Sequence, residues 1–253
     1  MTEDYLLLYL CLISVINRVK GHNCLEMKFA LIGNTKTIAY KGAKGICPNC
    51  GSEVIAKCGD LKQQHWAHKA ISNCDPWWEN ETEWHRNWKN NFPIAWQEII
   101  KYDSQTGEKH IADICTNEGL IVEFQHSHLD SIERLKRESF YKPMIWIVDG
   151  TRLKRDYLRF LSASEYFHRT NMRGVFHVIS PDKVFPKDWL KSKVPVIFDY
   201  KGSLPLNDPK DTRRYLYCML PQIKQNEVTI GVLTREFCIN DILKGGKWFH
   251  LKD

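Results

Sequence analysis

The feature that most constrains this chain is a short hairpin near its middle, because its register can be drawn from the residues alone. Two runs of strand-forming residues, Lys109 to Thr116 and Leu120 to His126, flank the loop Asn117-Glu118-Gly119. A three-residue connection with glycine in the left-handed position is a common hairpin turn. It pairs Thr116 with Leu120, and hence Asp113 with Glu123. Alternate residues of a strand share a face, so Glu123 and Gln125 lie with Ile121 while Val122 and Phe124 turn the other way. Opposed carboxylates destabilise a sheet. The pair therefore reads as the two walls of a divalent-cation site, or else as the exposed acidic face of an edge strand. On the first reading, replacing Asp113 or Glu123 relieves their repulsion and leaves the metal-free melting temperature unchanged or higher.

Around the hairpin the pattern alternates between helical and extended. From Glu79 it turns helical, with Trp84, Trp88 and Phe92 recurring every four residues until Pro93 ends the run. Glu81, His85 and Lys89 recur at the same interval on another face. That face is an ordinary solvated one, or one on which Glu81 holds a metal-bound water or the ion itself, with Glu83 as its competitor. A strand from Ile94 to Tyr102 precedes the hairpin. A charged helix from about Asp130 to Phe140, the apolar strand Met144 to Val148 and a helix from about Arg152 to Phe167 follow it. This order predicts an α/β layer structure with a mixed sheet. The tail adds short strands at Val175 to Ile179, Val194 to Asp199 and Tyr215 to Leu220. By chemistry the chain divides into an N-terminal extension (1–26), a small β-rich metal module (27–76), an α/β core (77–170) and a C-terminal α/β extension (171–253).

The metal module is read from Cys47-Pro-Asn-Cys50-Gly51, a knuckle whose two-residue spacing lets both thiolates reach one zinc ion. His65-Trp-Ala-His68 repeats that spacing and completes a Cys2His2 set, with Cys74 as the alternative to His65 and Cys58 as a spare. Four ligands leave no open position, so the zinc is expected to be structural and folding to depend on it. Nine cysteines are an odd number, and four of them crowd beside these histidines. Bound metal in a reducing, cytoplasmic compartment fits this better than a disulfide framework.

The apolar run Tyr5 to Ile16 spans about 12 residues, against the roughly 20 a membrane span needs. Glu3 and Asp4 precede it and Arg18 and Lys20 follow, the reverse of a signal peptide. It reads as a short docked helix, or as part of an extension upstream of Met27. No membrane span is expected. A formal net charge of +6 favours a polyanionic partner. The segment Ser131 to Lys142 carries Arg134, Lys136, Arg137 and Lys142, either a grip on backbone phosphate or a solvated helix face.

Taken in order, CPNCG, HWAH, ETEWHRNWK, HIAD, VEFQHS, a charged helix, VPVIFDY and LYCML resemble the competence protein CoiA-like nuclease family, over nearly all of residues 27 to 220. The resemblance implies a PD-(D/E)XK restriction-endonuclease-like core with a mixed β-sheet. Within it, Asp113 and Glu123 would bind Mg2+ or Mn2+, Glu81 would match the glutamate of the first core helix, and Gln125 would stand where the superfamily more often has lysine. Glutamine brings no positive charge and acts by hydrogen bonds alone. His126 would contact the scissile phosphate or leaving group, or be a plain strand-end residue. The implied function is metal-dependent hydrolysis of DNA phosphodiesters, in DNA uptake or in defence against foreign DNA. The alternatives are a catalytically silent nucleic-acid-binding module and a protein-binding component of a larger DNA-processing or defence assembly.

Overall fold

The computed structural model describes residues 26–60, 63–70, 74–77, 79, 81–202, 205–221 and 226–249. The N-terminal extension, with its run Tyr5 to Ile16, lies outside the described residues. No helix among the described residues is long and apolar enough to cross a membrane. The chain forms two compact units, residues 1–80 and 81–253.

The first unit is built on six short strands: β1 (Glu26–Met27), β2 (Phe29–Ile32), β3 (Thr35–Ile38), β4 (Lys44–Ile46), β5 (Glu53–Lys57) and β6 (His65–His68). They pair antiparallel in the order β1-β6-β5-β4-β2-β3. Gly33, at φ +59°, and Asn34 close the two-residue turn between β2 and β3, whose first central position takes the positive φ that glycine tolerates. Met27, Ala30, Val54 and Trp66 make a small core, and Trp66 donates its indole N–H to the Thr37 carbonyl at 2.9 Å.

The second unit begins with helix α1 (Glu83–Lys89), followed by β7 (Gln97–Tyr102), β8 (Lys109–Cys115) and β9 (Ile121–Gln125). Next come α2 (Ser131–Phe140), β10 (Met144–Asp149) and α3 (Lys154–Ser162). The remainder is β11 (Phe167–Arg169), β12 (Val175–Ile179), β13 (Val196–Asp199), β14 (Tyr215–Met219), β15 (Glu227–Thr234) and α4 (Arg235–Leu243). All nine strands join one mixed sheet in the order β11-β12-β15-β14-β13-β10-β9-β8-β7. The expected α/β layers and mixed sheet are present. The expected boundary near residue 170 runs through this sheet rather than between domains.

Three differences from the sequence expectation have local causes. The helix begins at Glu83 rather than Glu79, because the Thr82 hydroxyl caps it by accepting the His85 N–H at 3.3 Å. Ile94 to Trp96 forms a 3-10 turn, so the first strand starts at Gln97. The helix after β10 ends at Ser162, and Phe167 to Arg169 pairs instead with β12 as a strand.

Strands β9, β10 and β13 run parallel at the centre. β10, Met-Ile-Trp-Ile-Val-Asp, is buried at all six positions, as a parallel strand covered on both faces should be. On one face Val122, Phe124, Ile145, Ile147 and Ile197 pack with Trp88 of α1 and with Cys238 and Ile242 of α4. On the other, the Trp146 indole donates to Glu138 of α2 at 3.2 Å, and Phe160 of α3 stacks on Tyr200 with centroids 4.7 Å apart.

Gly150, just past β10, lies against that second layer. A Cβ there would fall 2.4 and 2.5 Å from atoms of the fully buried Tyr200 ring. Gly150→Ala is therefore expected to destabilise the protein by about 1–3 kcal/mol, the usual cost of overpacking. A urea titration reads this directly, and an unchanged midpoint would mean that the ring is not held as described.

Candidate functional site

Two clusters of potential ligands stand out, one in each unit. In the first unit the knuckle between β4 and β5 is closed by two backbone bonds, Cys47 N–H to Ser52 O at 2.8 Å and Gly51 N–H to Cys47 O at 2.9 Å, with Gly51 at φ +73°. It presents Cys47 and Cys50 to His68 of β6 and to Cys74, and the ligand atoms of all four lie within 4.8 Å of one another. The Cys47 and Cys74 sulfurs are 3.5 Å apart, and Cys50 Sγ is 3.2 Å from His68 Nε2. Zn–S bonds of about 2.3 Å and Zn–N bonds of about 2.0 Å imply tetrahedral edges of roughly 3.3–3.8 Å, so the set can hold a zinc ion. Its electrostatics point the same way. The hydrogen bond from Cys74 lowers Cys47 to about 6 against its burial, while the same contact pushes Cys74 up. Two thiolates side by side need a cation to coexist.

His65 is not part of this set, a correction to the Cys2His2 reading. On a strand, residues three apart point to opposite faces. His65 therefore leaves the knuckle, with Nδ1 2.8 Å from the Gln63 carbonyl and Nε2 3.9 Å from Glu26, and Cys74 takes its place. Cys58 also lies outside the group.

In the second unit Glu81, His85 and Asp113 bring their ligand atoms within 4.8 Å of one another. α1 supplies His85, the residue before its cap supplies Glu81, and β8 supplies Asp113. His85 Nε2 lies 2.9 Å from Asp113 Oδ1. The partner that sequence reasoning used only as a face marker is Lys89. Its ammonium is fully buried, bonded to Glu81 and to Glu98 (2.8 Å), and 3.7 Å from Asp113. Burial opposes its charge, but Glu81, Glu98 and Asp113 hold its pKa raised. Arg86 Nε adds a contact of 2.9 Å to Glu81, whose pKa stays lowered although burial would raise it.

Asp113 and Glu123 occupy facing positions, as drawn from the hairpin, but they do not repel across a bare gap. The ladder between β8 and β9 holds only Ile114–Val122 and Cys115–Ile121. At the next position side chains replace carbonyls. The Asp113 N–H donates to Glu123 Oε1 and the Phe124 N–H to Asp113 Oδ2, both at 3.0 Å. Glu123 Oε2 also lies 3.5 Å from Arg137 Nη1 of α2. Burial would raise Asp113, yet His85, Lys89 and the Phe124 amide bring it down to about 2. Where repulsion alone predicts an unchanged or higher melting temperature on removing either carboxylate, these contacts predict a lower one.

Gln125 and His126 face other partners. The buried Gln125 amide donates to the Ser127 carbonyl (3.3 Å) and hydroxyl (3.2 Å). His126, part-exposed, places Nδ1 2.8 Å from Asp149 Oδ2, and Asp149 is itself fixed by the Thr151 N–H and hydroxyl at 2.8 and 2.6 Å. Of the four cations on the charged helix, Arg134 and Arg137 are buried and paired with Glu138, and with Glu133 and Glu123. Only Lys136 and Lys142 are exposed. Sequence reasoning missed Glu98 and Asp149, which carry no spacing signal. Lys89 was signalled by its four-residue interval from His85.

Residues 34–76 match the family model for the competence protein CoiA N-terminal domain. That match supports the placement of this chain with the CoiA-like family. No curated protein and no solved structure matches the chain.

The two clusters generate separate predictions. Cys74→Ser is expected to release zinc and lower the melting temperature, because structural zinc supplies folding free energy, while His65→Ala keeps its zinc. Metal analysis of the two purified variants decides the point, and the opposite pattern would restore His65 as ligand. Lys89→Met should cost about 3–5 kcal/mol in zinc-loaded protein with no Mg2+ or Mn2+ added, since it strands the carboxylates of Glu81, Glu98 and Asp113. Asp113→Ala should lower, not raise, the metal-free melting temperature. A melting curve at or above wild type for both variants would refute this account of the cluster.

Proposed function

We propose that the second unit is a metal-dependent nuclease of the PD-(D/E)XK type that hydrolyses phosphodiester bonds of DNA. The observation that carries this reading is the convergence of Glu81, His85 and Asp113 where β8 and β9 part. Two carboxylate oxygens and an imidazole are a donor set suited to Mn2+, whereas Mg2+ favours oxygen ligands alone. When bound, such an ion lowers the pKa of a water and polarises the phosphoryl oxygens.

The chain's own residues would then divide the work. Glu81 and Asp113 bind, His85 completes the ligand set, and Glu123 holds Asp113 in place through its backbone N–H. Lys89, 3.7 Å from Asp113, supplies the positive charge that Gln125 lacks. Gln125, buried with its amide bonded to Ser127, would hold the turn after β9 rather than meet water or phosphate. His126, with Nδ1 held by Asp149, would in its protonated form give the Nε2 proton to the leaving oxygen. The zinc set of the first unit has no open position, and its role is structural.

The CoiA-type domain suggests a competence-related role, and we assign the nuclease to DNA processing during uptake. Defence against foreign DNA would use the same chemistry. One observation favours a silent nucleic-acid-binding module instead: Lys89, Arg86 and Arg137 already neutralise much of the acidic cluster. Cleavage of plasmid and single-stranded DNA in Mg2+, Mn2+ and EDTA separates the two readings. The nuclease is expected to cut with Mn2+ better than with Mg2+ and not in EDTA, and Glu81→Gln and Asp113→Asn should abolish cutting while DNA is still bound. Binding without metal-dependent cleavage by the wild type would establish the silent module.

A further inference from the structure

At the carboxyl ends of the central parallel strands lies a cavity of about 370 Å3 that the acidic cluster does not use. In open α/β sheets ligands bind in the crevice outside these strand ends. The register places Asp149 beside Asp199 at this edge, one residue beyond the pairing of Gln125 with Val148. α1 lies over it. The helix face that carries Trp84 and Asn87 lines the cavity, while Glu81, His85 and Lys89 serve the acidic cluster. The Trp84 ring also lies 6.5 Å from that of His126, so one indole borders both places.

The floor of the cavity is preorganised. Asp199, nearly fully buried, accepts the indole N–H groups of Trp84 (2.9 Å) and Trp88 (3.0 Å), the Arg235 guanidinium (2.7 Å) and the Lys201 N–H (3.0 Å). Burial would raise its pKa, but Arg235 and these donors keep it lowered. Arg235 in turn lies over the Trp88 ring at 4.6 Å. The rim differs. Glu83, Asn87 and Lys201 are exposed, and among the described residues the side chains of Asn87 and Lys201 have no partner. The cavity thus offers an aromatic wall, an amide, a carboxylate and two cations in the volume of one nucleotide, at the small end of ligand sites.

We propose that this cavity seats one unstacked nucleobase of a nucleic-acid strand, with Asn87 and Glu83 at the base edge and Lys201 at the adjoining phosphate. An amide and a carboxylate are the groups that read adenine and cytosine edges, and aromatic walls with cationic rims hold single strands by stacking and charge. The proposal deepens the nuclease reading and rests on it: a strand held here passes Trp84 and His126 on its way to the acidic cluster. It favours single-stranded or locally opened substrate, because a stacked, paired base cannot enter a cavity of this size.

The test uses the zinc-loaded full chain with no Mg2+ or Mn2+ added, so that binding is read apart from cleavage. Fluorescence anisotropy measures affinity for a labelled single-stranded 12-mer, and for the same backbone without bases. The wild type should bind the base-bearing strand about tenfold or more tightly than the abasic one. Asn87→Leu with Lys201→Met, both at exposed positions, should erase that preference at an unchanged melting temperature. Equal affinity for both strands, a duplex bound in preference to the single strand, or full preference in the double variant would overturn the proposal. If the wild type shows the base preference but never cleaves with Mn2+, the nuclease reading falls and the cavity stands. If it cleaves and the double variant binds and cuts as wild type does, the reverse holds.

Discussion

One buried ammonium sets the geometry of the second unit's site. Removing a charge from water costs several kcal/mol even after the protein relaxes, so Lys89 is tolerable only inside a shell of carboxylates. Glu81, Glu98 and Asp113 provide it from three places: the chain before α1, strand β7 and strand β8. Glu98 shows what this requires. It holds φ +47°, a conformation a non-glycine residue seldom adopts, and the β7–β8 pairing passes from Gln97–Ile114 to Ile99–Ala112 around it. In a regular strand Gln97 and Glu98 would point to opposite faces. Here the Gln97 amide caps the Lys89 and Phe92 carbonyls while Glu98 reaches the Lys89 ammonium. The bend brings both neighbours to the end of α1.

The same demand explains why β8 and β9 part where they do. A carboxylate buried beside a cation still needs its other lone pairs satisfied, and the backbone N–H groups of Asp113 and Phe124 are the donors within reach. Once those N–H groups bond to side chains, they are lost to the strand ladder. The sheet opens at the residues that carry the acids, so fork and acidic cluster are one feature seen from backbone and from side chain.

How much of this was legible in sequence depended on whether a residue's partner was local. The facing of Asp113 and Glu123 followed from a turn with one glycine, and the alternation that buries Val122 and Phe124 followed from strand period. The layer order was legible from the switch between helical and extended patterns. The zinc knuckle was legible too, and of the two candidates for its fourth ligand the structure takes Cys74, the alternative, over His65. The H-x2-H spacing suits a turn or helix, and His65 and His68 sit on a strand, where that spacing separates them. Glu98 and Asp149 were invisible because their partners, Lys89 and His126, are remote in sequence or face them only across the sheet. Arg137 looked like a surface cation because its neighbours Lys136 and Lys142 are exposed, and nothing in the helix pattern announced that Glu123 would lie beneath it.

The two clusters differ in a way that bears on what each can do. Cys47, Cys50, His68 and Cys74 surround one point with four ligands, three of them soft sulfur donors, and a tetrahedral ion there has no position left for a substrate. Such a site joins the knuckle, β6 and Cys74, which matters in a unit whose own apolar core is small. Glu81, His85 and Asp113 are three potential donors rather than four, so an ion held by them would keep coordination positions for other ligands. Lys89 holds Glu81 and Asp113 and Arg137 holds Glu123, so a cation entering the cluster would have to displace contacts already made, among them His85 Nε2 to Asp113 Oδ1 at 2.9 Å. A site assembled in that way costs stability in its buried charges and gains it back only through the shell that Lys89 organises, which is why the ammonium and the acids stand or fall together.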